Sequence, residues 1–447
     1  MGKYFGTDGF RGEANVVLRP EHAFKIGRFL GWHYGRSHKA KIVIGKDTRQ
    51  SSYMFESAMV AGLTASGADA YLLHVTTTPN VSFAVRTECF DCGVMISASH
   101  NPYYDNGIKL LNADGLQIEQ EIEEKIEAYL DSDTWDPPLA VRDEVGKCID
   151  FASGRNRYIG YLISIPSRDF KNIRVGLDCA NGSASAIVRS VFEALQAKVY
   201  VISAQPDGRN INDGCGSVYM ERLRRFVLEN GLDIGFAYDG DADRCLAVDH
   251  RGNILSGDRI LYLCGKHLKE QGRLREDTIV TTVMSNPGLY QALDRENIRY
   301  IKTEVGNQVV ARAMLREHLD LGGEQSGHII FSRYAATGDG ILTSLMVMEA
   351  CAEKKSTLYE LSREIREYPQ VLRNVRVRNK QEAAENAAVR QAVRRMEAAV
   401  GSAGRILVRA SETEPLIRIM AEAETDEICN KCVDEITAAL VAEGLTM

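Results

Sequence analysis

The stretch Lys41-Ile-Val-Ile-Gly-Lys-Asp-Thr-Arg49 decides the fold class, because a β-rich run ends there in a polar loop. Residues 54–66 follow with helical composition, and Gly67-Ala-Asp-Ala-Tyr-Leu-Leu73 returns to a β-rich run. Strand, loop, helix and strand in this order form the βαβ unit of a parallel or mixed sheet. The same order recurs over residues 173–202 and 278–301. The sequence therefore predicts three similar α/β domains built on mixed sheets.

The pattern changes near residue 366, where a C-terminal domain is predicted to begin. Val371-Leu-Arg-Asn-Val-Arg-Val-Arg378 alternates like a strand, residues 381–400 have helical composition, and a closing helix is predicted over 426–442. We expect a smaller α+β domain over residues 366–447. The three α/β domains are predicted over residues 1–150, 151–250 and 251–365.

Composition excludes several classes of protein. The chain has 447 residues, of which 45% are hydrophobic and 26% charged, as in ordinary globular proteins. Its net charge of −7 argues against a nucleic-acid partner, because nucleic-acid binding requires a basic face. No apolar stretch approaches the roughly 18 residues of a membrane span, and the N-terminus lacks a signal-peptide core. We predict a cytoplasmic protein without a membrane partner. The sequence does not fix the oligomeric state, for which a homodimer is one option.

The ten cysteines raise the question of metal binding, because Cys89-Phe-Asp-Cys92 and Cys429-Asn-Lys-Cys432 are both CxxC motifs. The two pairs lie too far apart in the sequence for a zinc ribbon. Apolar residues repeat at helical intervals around the second pair, so these cysteines are predicted to pack on an apolar helix face. Scattered free thiols are expected in a reducing compartment.

Ser97-Ala-Ser-His-Asn-Pro102 is the first candidate for chemistry. It follows the apolar run Val94-Met-Ile96, so we expect Ser99 and His100 in a loop at the end of a buried strand. Ligands and catalytic groups collect at such carboxyl ends in open α/β sheets. A serine beside a histidine carries little weight alone, because most such pairs are polar groups of surface loops. Three further motifs give this pair its significance.

The first of these motifs is Asp239-Gly-Asp-Ala-Asp-Arg244, in which three carboxylates alternate with small residues. In an extended loop they point the same way, which is costly unless a cation neutralises them. Oxygen ligands of this charge suit Mg²⁺. A calcium EF-hand is excluded, since Arg244 stands where it needs glycine and His250 where it needs glutamate. A solvated acidic turn is the alternative, and the apolar flanks argue against it.

The second motif, Gly322-Gly-Glu-Gln-Ser-Gly-His328, offers a carboxylate, an amide, a hydroxyl and an imidazole on a glycine frame. Such groups pair with the hydroxyls of a sugar ring. A single histidine such as His328 is more often structural, but in this loop a substrate role is favoured.

The third motif, Arg409-Ala-Ser-Glu-Thr-Glu-Pro415, combines hydroxyls with a turn and is followed by Arg418. Guanidinium groups with neutral donors are phosphate-binding chemistry. Arg418 could instead be a solvent-facing strand residue. Two more cations, Arg11 in a glycine-rich turn and Lys109, could approach Ser99.

These motifs together resemble the α-D-phosphohexomutase superfamily over essentially the whole chain. The segments that carry the resemblance are Gly6-Thr-Asp-Gly-Phe-Arg-Gly12, Ser97-Ala-Ser-His-Asn-Pro102, Asp105-Asn-Gly-Ile-Lys109, Asp239-Gly-Asp-Ala-Asp-Arg-Cys-Leu-Ala-Val248, Thr282-Val-Met-Ser-Asn286, Gly323-Glu-Gln-Ser-Gly-His328 and Thr337-Gly-Asp-Gly340. The resemblance implies four domains around a central cleft.

The resemblance also implies a role for each matching residue. Ser99 would be the phosphorylated serine, and Mg²⁺ would be held by its phosphate with Asp239, Asp241 and Asp243. The transferring phosphoryl group would be surrounded by Arg11, His100, Lys109 and Arg244. Lys302 would help to hold the substrate. The sugar would be held by Glu324, Ser326 and His328, and the other phosphate by Arg409, Ser411, Thr413 and Arg418. Glu412 stands where glycine is usual, which places a negative charge in the phosphate loop.

The activity implied is phosphoryl transfer from Ser99 to O1 of glucosamine 6-phosphate, through a bound 1,6-bisphosphate, to give glucosamine 1-phosphate. Lys109, with a pKa lowered by neighbouring cations, is the predicted general base, and His100 is the alternative. Gln325 favours the amino sugar over the alternative, a phosphomannomutase or phosphoglucomutase of the same chemistry. A Mg²⁺-dependent phosphatase would not need Ser99, and a catalytically silent scaffold would not need the three aspartates.

Overall fold

The computed structural model describes residues 2–6, 8–132, 134–401, 404–411 and 416–447. The chain divides into two compact units. The first comprises Met1–Met284 and Asn297–Arg363, and the second comprises Ser285–Glu296 and Glu364–Met447. None of the described helices combines the length and apolar character that crossing a membrane requires.

A seven-stranded mixed sheet opens the first unit. Its elements are β1 (Phe5–Gly6), β2 (Gly9–Glu13), α1 (Pro20–Tyr34), β3 (Lys41–Lys46), α2 (Gln50–Ala65), β4 (Asp69–Val75), α3 (Thr78–Thr87), β5 (Cys92–Ile96), β6 (Asp105–Leu111), α4 (Gln120–Leu130) and β7 (Cys148–Asp150). The strand order is β1-β2-β6-β5-β3-β4-β7, with β3 parallel to β4 and β5. Lys46 pairs with Ile96, so the loops after β3 and β5 emerge side by side.

The packing of this sheet follows from its sequence. β5 is buried throughout and β3 from its second residue, as expected for central parallel strands covered on both faces. The helices α1 and α2 approach so closely that a Cβ atom on Gly62 would lie 2.1 Å from the carbonyl oxygen of Phe24. Only glycine permits this contact.

A five-stranded sheet follows. Its elements are α5 (Ala152–Ser164), β8 (Arg174–Asp178), α6 (Val188–Ala194), β9 (Lys198–Ile202), α7 (Met220–Glu229), β10 (Ile234–Tyr238), β11 (Cys245–Asp249) and β12 (Ile254–Leu255). The order is β12-β11-β10-β8-β9, with β10 parallel to β8 and antiparallel to β11. Because β10 is buried throughout and ends at Tyr238, Asp239 begins the loop at its carboxyl end.

The third sheet has four strands in the order β14-β13-β15-β16. The elements of this part of the chain are α8 (Gly257–Glu270), β13 (Thr278–Thr282), α9 (Pro287–Arg295), β14 (Arg299–Thr303), α10 (Asn307–Glu317), β15 (Leu321–Gly323), β16 (Ile329–Phe331), α11 (Gly340–Lys354) and α12 (Leu358–Ser362). Helix α9 belongs to the second unit. β15 and β16 pair antiparallel, so residues 324–328 form the turn between them.

The second unit contains α9 and a three-stranded antiparallel sheet. Its other elements are β17 (Gln370–Arg376), α13 (Lys380–Glu385), α14 (Ala387–Val400), β18 (Arg405–Ala410), β19 (Leu416–Glu422) and α15 (Asp426–Ala442). The strand order is β17-β19-β18. Cys429 and Cys432 lie in the core beneath this sheet, and all ten cysteines are free, which confirms the prediction of structural thiols on a helix face.

Mixed sheets flanked by helices confirm the predicted α/β class. The boundaries at residues 150, 250 and 365 and the central cleft implied by the resemblance stay predictions.

Candidate active site

Ser99 lies buried in the loop after β5, in contact with the loop after β10. Its hydroxyl donates a hydrogen bond of 2.5 Å to Oδ2 of Asp239 and lies 3.3 Å from Nδ1 of His100. The backbone of Ser99 has φ +52°, a left-handed conformation that is uncommon outside glycine. The structure therefore brings together the serine, the histidine and the first aspartate that the sequence singled out.

Two side chains that the motif analysis missed hold this loop. The guanidinium of Arg49 donates to the carbonyl oxygens of Ser99 (3.1 Å) and Asn101 (2.7 Å). The amide of Asn212 donates to the same two oxygens, at 2.9 and 3.0 Å. Arg49 is fully buried and forms an ion pair with Asp47. One feature of the sequence could have indicated the role of Arg49. The run Asp-Thr-Arg directly follows β3, and the end of β3 lies beside the end of β5.

Asp239, Asp241 and Asp243 are all buried, and one oxygen of each lies within 4.8 Å of the others. Oδ1 of Asp241 and Oδ1 of Asp243 are buried without a hydrogen-bond partner. Burial, together with Asp243 and Asp241, raises the pKa of Asp239 well above its usual range. Three converging carboxylates repel one another, and two of them have an unpartnered oxygen, so a hard cation bound by their oxygens would relieve the repulsion. The group is therefore compatible with a metal site.

The metal loop is fixed by two neighbouring helices. At the start of α3, the backbone N–H of Thr78 donates to the carbonyl oxygen of Asp241 (3.0 Å), and its hydroxyl donates to Oδ2 of the same residue (2.5 Å). At the start of α11, the N–H of Gly340 donates to the carbonyl oxygen of Ala242 (3.0 Å). Thr78 is a third residue that motif analysis missed.

Lys109 projects from β6 into the carboxylates. Its Nζ lies 2.7 Å from Asp241, 3.2 Å from Asp243 and 3.5 Å from Asp8. Burial alone disfavours its charged form, but these three carboxylates outweigh burial and raise the pKa of Lys109. The expectation of a lowered pKa is therefore wrong for this structure, because carboxylates lie nearer to the amine than the cations do. A divalent cation on the carboxylates would reduce this effect.

The other predicted groups around Ser99 are His100, Arg11 and Arg244. Burial, with Arg244 and Arg11, lowers the pKa of His100 to about 4, so its imidazole is neutral at pH 7. Arg244 lies 3.4 Å from Nδ1 of His100 and 4.0 Å from Asp243. Arg11 forms an ion pair with Asp8. Positive charge and a neutral imidazole thus surround the serine.

The turn between β15 and β16 carries Glu324, Ser326 and His328. It joins the metal loop through the N–H of Cys245, which donates to the carbonyl oxygen of Gly327 (3.0 Å). His328 is buried; its Nε2 accepts the N–H of Gly338, and its Nδ1 lies 3.7 Å from Asp243. Its ring is thus oriented by backbone on one side and by the metal loop on the other.

Glu324 and Ser326 have different surroundings. Glu324 accepts the N–H of Gly306 at 3.0 Å, whereas the buried hydroxyl of Ser326 has no hydrogen-bond partner. Lys302 lies exposed on the edge strand β14, with Nζ 5.3 Å from the ring centre of Tyr300.

In the second unit, Arg409 and Arg418 face one another across β18 and β19, and both are exposed. Ser411 follows β18, is buried, and accepts a hydrogen bond from Nζ of Lys380 through its carbonyl oxygen (2.8 Å). Two cations and a buried hydroxyl therefore sit at the end of this hairpin. Thr413 and Glu412 lie outside the described residues.

Four family models match the chain in consecutive segments. They are phosphoglucomutase/phosphomannomutase domain I over residues 2–136, domain II over 156–252, domain III over 256–368 and the C-terminal domain over 372–439. The chain belongs to the phosphoglucomutase/phosphomannomutase family, which confirms the resemblance to phosphohexomutases.

Three relatives of similar length are phosphoglucosamine mutases. The phosphoglucosamine mutases of Lachnoclostridium phytofermentans and Lachnospira eligens are each 57% identical to this chain, over 99% of either chain. The phosphoglucosamine mutase of Bacillus subtilis is 46% identical, over 99% of either chain.

Solved structures share the fold at low identity. A phosphoglucomutase/phosphomannomutase family protein from Burkholderia thailandensis has a TM-score of 0.80 at 20% identity, covering 99% of this chain and 98% of its own. Aspergillus fumigatus N-acetylphosphoglucosamine mutase, solved with GlcNAc-6P and magnesium, has a TM-score of 0.68 at 17% identity, covering 98% and 95%.

Proposed function

We propose that this protein is an isomerase that interconverts glucosamine 6-phosphate and glucosamine 1-phosphate. A phosphorylated Ser99 and a bound 1,6-bisphosphate would be the intermediates. The observation that carries this proposal is the contact between Ser99 Oγ and Asp239, at 2.5 Å, inside a ring of three aspartates and three cations. The full-length likeness to phosphoglucosamine mutases supports the amino sugar.

The reaction has two halves, and in each half one P–O bond breaks and another forms. In the first half, the bond between phosphorus and Ser99 Oγ breaks, a bond from phosphorus to the sugar O1 forms, and the hydroxyl proton of O1 passes to Oγ. In the second half, Oγ takes the 6-phosphoryl group of the bisphosphate and gives up its proton to O6. Such transfers depend on positioning and on neutralising charge, more than on covalent help from the protein.

His100 is the side chain that we place in the proton transfer. Its Nδ1 lies 3.3 Å from Ser99 Oγ, whereas Nζ of Lys109 is engaged with Asp241, Asp243 and Asp8. Lys109, Arg11 and Arg244 would neutralise the phosphoryl oxygens. This reverses the order of the two candidate bases that the sequence suggested.

We propose Mg²⁺ as the ion for Asp239, Asp241 and Asp243, with the Ser99 phosphate completing the site. When bound, it would supply Lewis-acid charge to the phosphoryl group. The unpartnered oxygens of Asp241 and Asp243 support this assignment.

Glu324, Ser326 and His328 are proposed to hold the sugar, and Lys302 is proposed to help hold the substrate. Arg409, Ser411, Arg418 and Thr413 are proposed to hold the phosphate that does not react. The buried hydroxyl of Ser326, which has no hydrogen-bond partner, supports a role in holding the sugar. Buried polar atoms without partners are uncommon in native proteins. The cytoplasmic location and the absence of nucleic-acid and membrane partners stay predictions.

One experiment tests the function directly. The purified chain should carry a single added phosphoryl group by intact mass, and the group should be absent from Ser99→Ala. The wild type should turn over glucosamine 6-phosphate with a higher kcat/KM than mannose 6-phosphate or glucose 6-phosphate. Sites built for one polar group reject analogues that lack it, because buried partners stay unsatisfied. An equal or higher kcat/KM for mannose 6-phosphate would favour the phosphomannomutase alternative.

A further inference from the structure

A cavity of about 1030 Å³ opens in the first unit, at the amino ends of β8 and β10. Its apolar lining includes Leu232, Met348 and Leu358, which are buried, and Ile173 and Ala352, which are half-buried. None of the residues placed in the candidate active site lines it. It is therefore a separate feature of the unit and has no role in the proposed reaction.

The cavity lies at the opposite end of two elements that hold the metal loop. Strand β10 starts at Ile234, which lines the cavity, and Asp239 follows its last residue. Helix α11 starts at Gly340, whose N–H donates to Ala242 of the metal loop. The last turns of α11, with Met348 and Cys351, line the cavity. A ligand there would touch the same helix and strand that position the metal loop.

The charges around the cavity favour an anion. Four of its lining residues are arginine or lysine and two are aspartate, although the whole chain has a net charge of −7. Arg174 pairs with Asp233 at 2.9 Å. Within the described ranges, Arg168, Lys171 and Lys355 have no carboxylate within ion-pair distance of their side chains. Three unpaired cations around one concave surface form a site to which phosphate oxygens are suited.

The size and the apolar lining of the cavity favour a ligand larger than a bare phosphate ion. Small-molecule pockets span about 300 to 1,000 Å³ and combine an apolar lining with a few polar groups. An inorganic phosphate would satisfy the cations and leave the half-buried Ile173 and Ala352 uncovered. We propose that this cavity binds an organic phosphate of nucleotide size, with its phosphates on Arg168, Lys171 and Lys355 and its apolar part on Ile173 and Ala352.

The test uses the full chain and ADP as the probe, with EDTA present so that metal-bound nucleotide is excluded. Calorimetric titration should give a dissociation constant below about 1 mM, a free energy of about −4 kcal/mol. Charge reversal in the double variant Arg168→Glu/Lys355→Glu should weaken binding at least tenfold. Lys147→Glu reverses the charge of an exposed lysine that does not line the cavity, and it should bind ADP like the wild type. Adenosine and inorganic pyrophosphate, titrated separately, should each bind at least tenfold more weakly than ADP.

Several outcomes would overturn the proposal. They are no measurable ADP binding, equal affinity in the double variant and the wild type, displacement of ADP by glucosamine 6-phosphate, and pyrophosphate binding as tightly as ADP. Mutase activity at the wild-type level shows that the double variant is folded. If that activity is lost, the two single variants replace it under the same criterion.

Discussion

The side chain of Asn212 donates a hydrogen bond of 2.9 Å to the carbonyl oxygen of Ser99, a residue 113 positions earlier in the chain. Arg49, which follows β3 in the same sheet as the strand before Ser99, donates to the same oxygen. A left-handed serine stores strain of about 1–3 kcal/mol and persists only when its surroundings hold it. We infer that these donors are positioning residues that aim Ser99 Oγ at the metal loop.

Replacing Asn212 by alanine should therefore lower kcat by about tenfold to a hundredfold, while KM changes little. The variant leaves the carbonyl oxygens of Ser99 and Asn101 with one donor fewer, at a cost of about 1–3 kcal/mol in loop placement. Steady-state kinetics on preparations with matched Ser99 phosphorylation measures both constants. Asn230→Ala is the control, because the Asn230 amide donates only to an exposed helix end at Phe226. A parallel loss in both variants, or a rise in KM alone, would rule out positioning.

Thr78→Val should weaken Mg²⁺ binding by about tenfold, because valine keeps the shape of threonine and removes the hydroxyl that donates to Asp241. Loss of a partner of a ligating carboxylate typically costs 10- to 100-fold in metal affinity. The apparent Mg²⁺ constant from activity titrations measures the effect. Thr87→Val is the matched control on the same helix, since the hydroxyl of Thr87 donates to Phe83 on an exposed turn. An unchanged constant in Thr78→Val would show that the hydroxyl does not support the metal loop.

Much of the fold could be predicted from local pattern. Apolar runs such as the one from Lys41 to Lys46 predict buried strands. Polar residues directly after such runs predict the loops that lie together at one edge of a sheet. Pattern alone could not show that the loop after β5 meets the loop after β10, because these strands belong to different sheets. Only the resemblance to a known family joined Ser99 to Asp239.

The electrostatics of the site were harder to predict. The resemblance places arginines and aspartates near Lys109, but the pKa depends on distances within a few ångströms. Carboxylates of Asp241 and Asp243 lie at 2.7 and 3.2 Å, so the pKa of the amine rises where a fall was expected. The roles of Arg49 and Asn212 were hidden for a similar reason, since sequence does not reveal where backbone carbonyls point.

Glu422 gives the second unit a pH-dependent stability. Burial raises its pKa to about 7, against the opposing effect of Arg405, from an ordinary value near 4.5. The folded chain therefore holds this proton over the range in which the unfolded chain loses it, and stability falls as the pH rises from about 4.5 to about 7. Glu422→Gln should remove this loss and be more stable than the wild type at pH 8, by up to about 3 kcal/mol.

Urea unfolding at pH 5 and pH 8 measures the difference between the wild type and Glu422→Gln. The exposed Glu424 supplies the control, because Glu424→Gln should leave the pH dependence of the wild type intact. If the stability difference between the wild type and Glu422→Gln is the same at both pH values, folding does not change the pKa of Glu422.

The two candidate bases can be separated by one substitution at each. Lys109→Arg keeps a positive charge between Asp241 and Asp243 but cannot lose a proton, because the guanidinium stays charged at any pH a protein tolerates. If Lys109 neutralises charge, as the structure favours, the variant should keep roughly a tenth or more of the wild-type kcat.

His100→Gln keeps a polar group beside Ser99 Oγ but removes the imidazole that lies 3.3 Å from it. General acid–base catalysis contributes about 10²- to 10⁴-fold, so kcat should fall by at least a hundredfold while KM stays within about threefold. Thermal unfolding of both variants controls for damage to the fold, since Lys109 is buried and arginine is larger. The opposite ranking, with Lys109→Arg inactive and His100→Gln active, would return the role of general base to Lys109 and leave His100 as a structural neighbour of the serine.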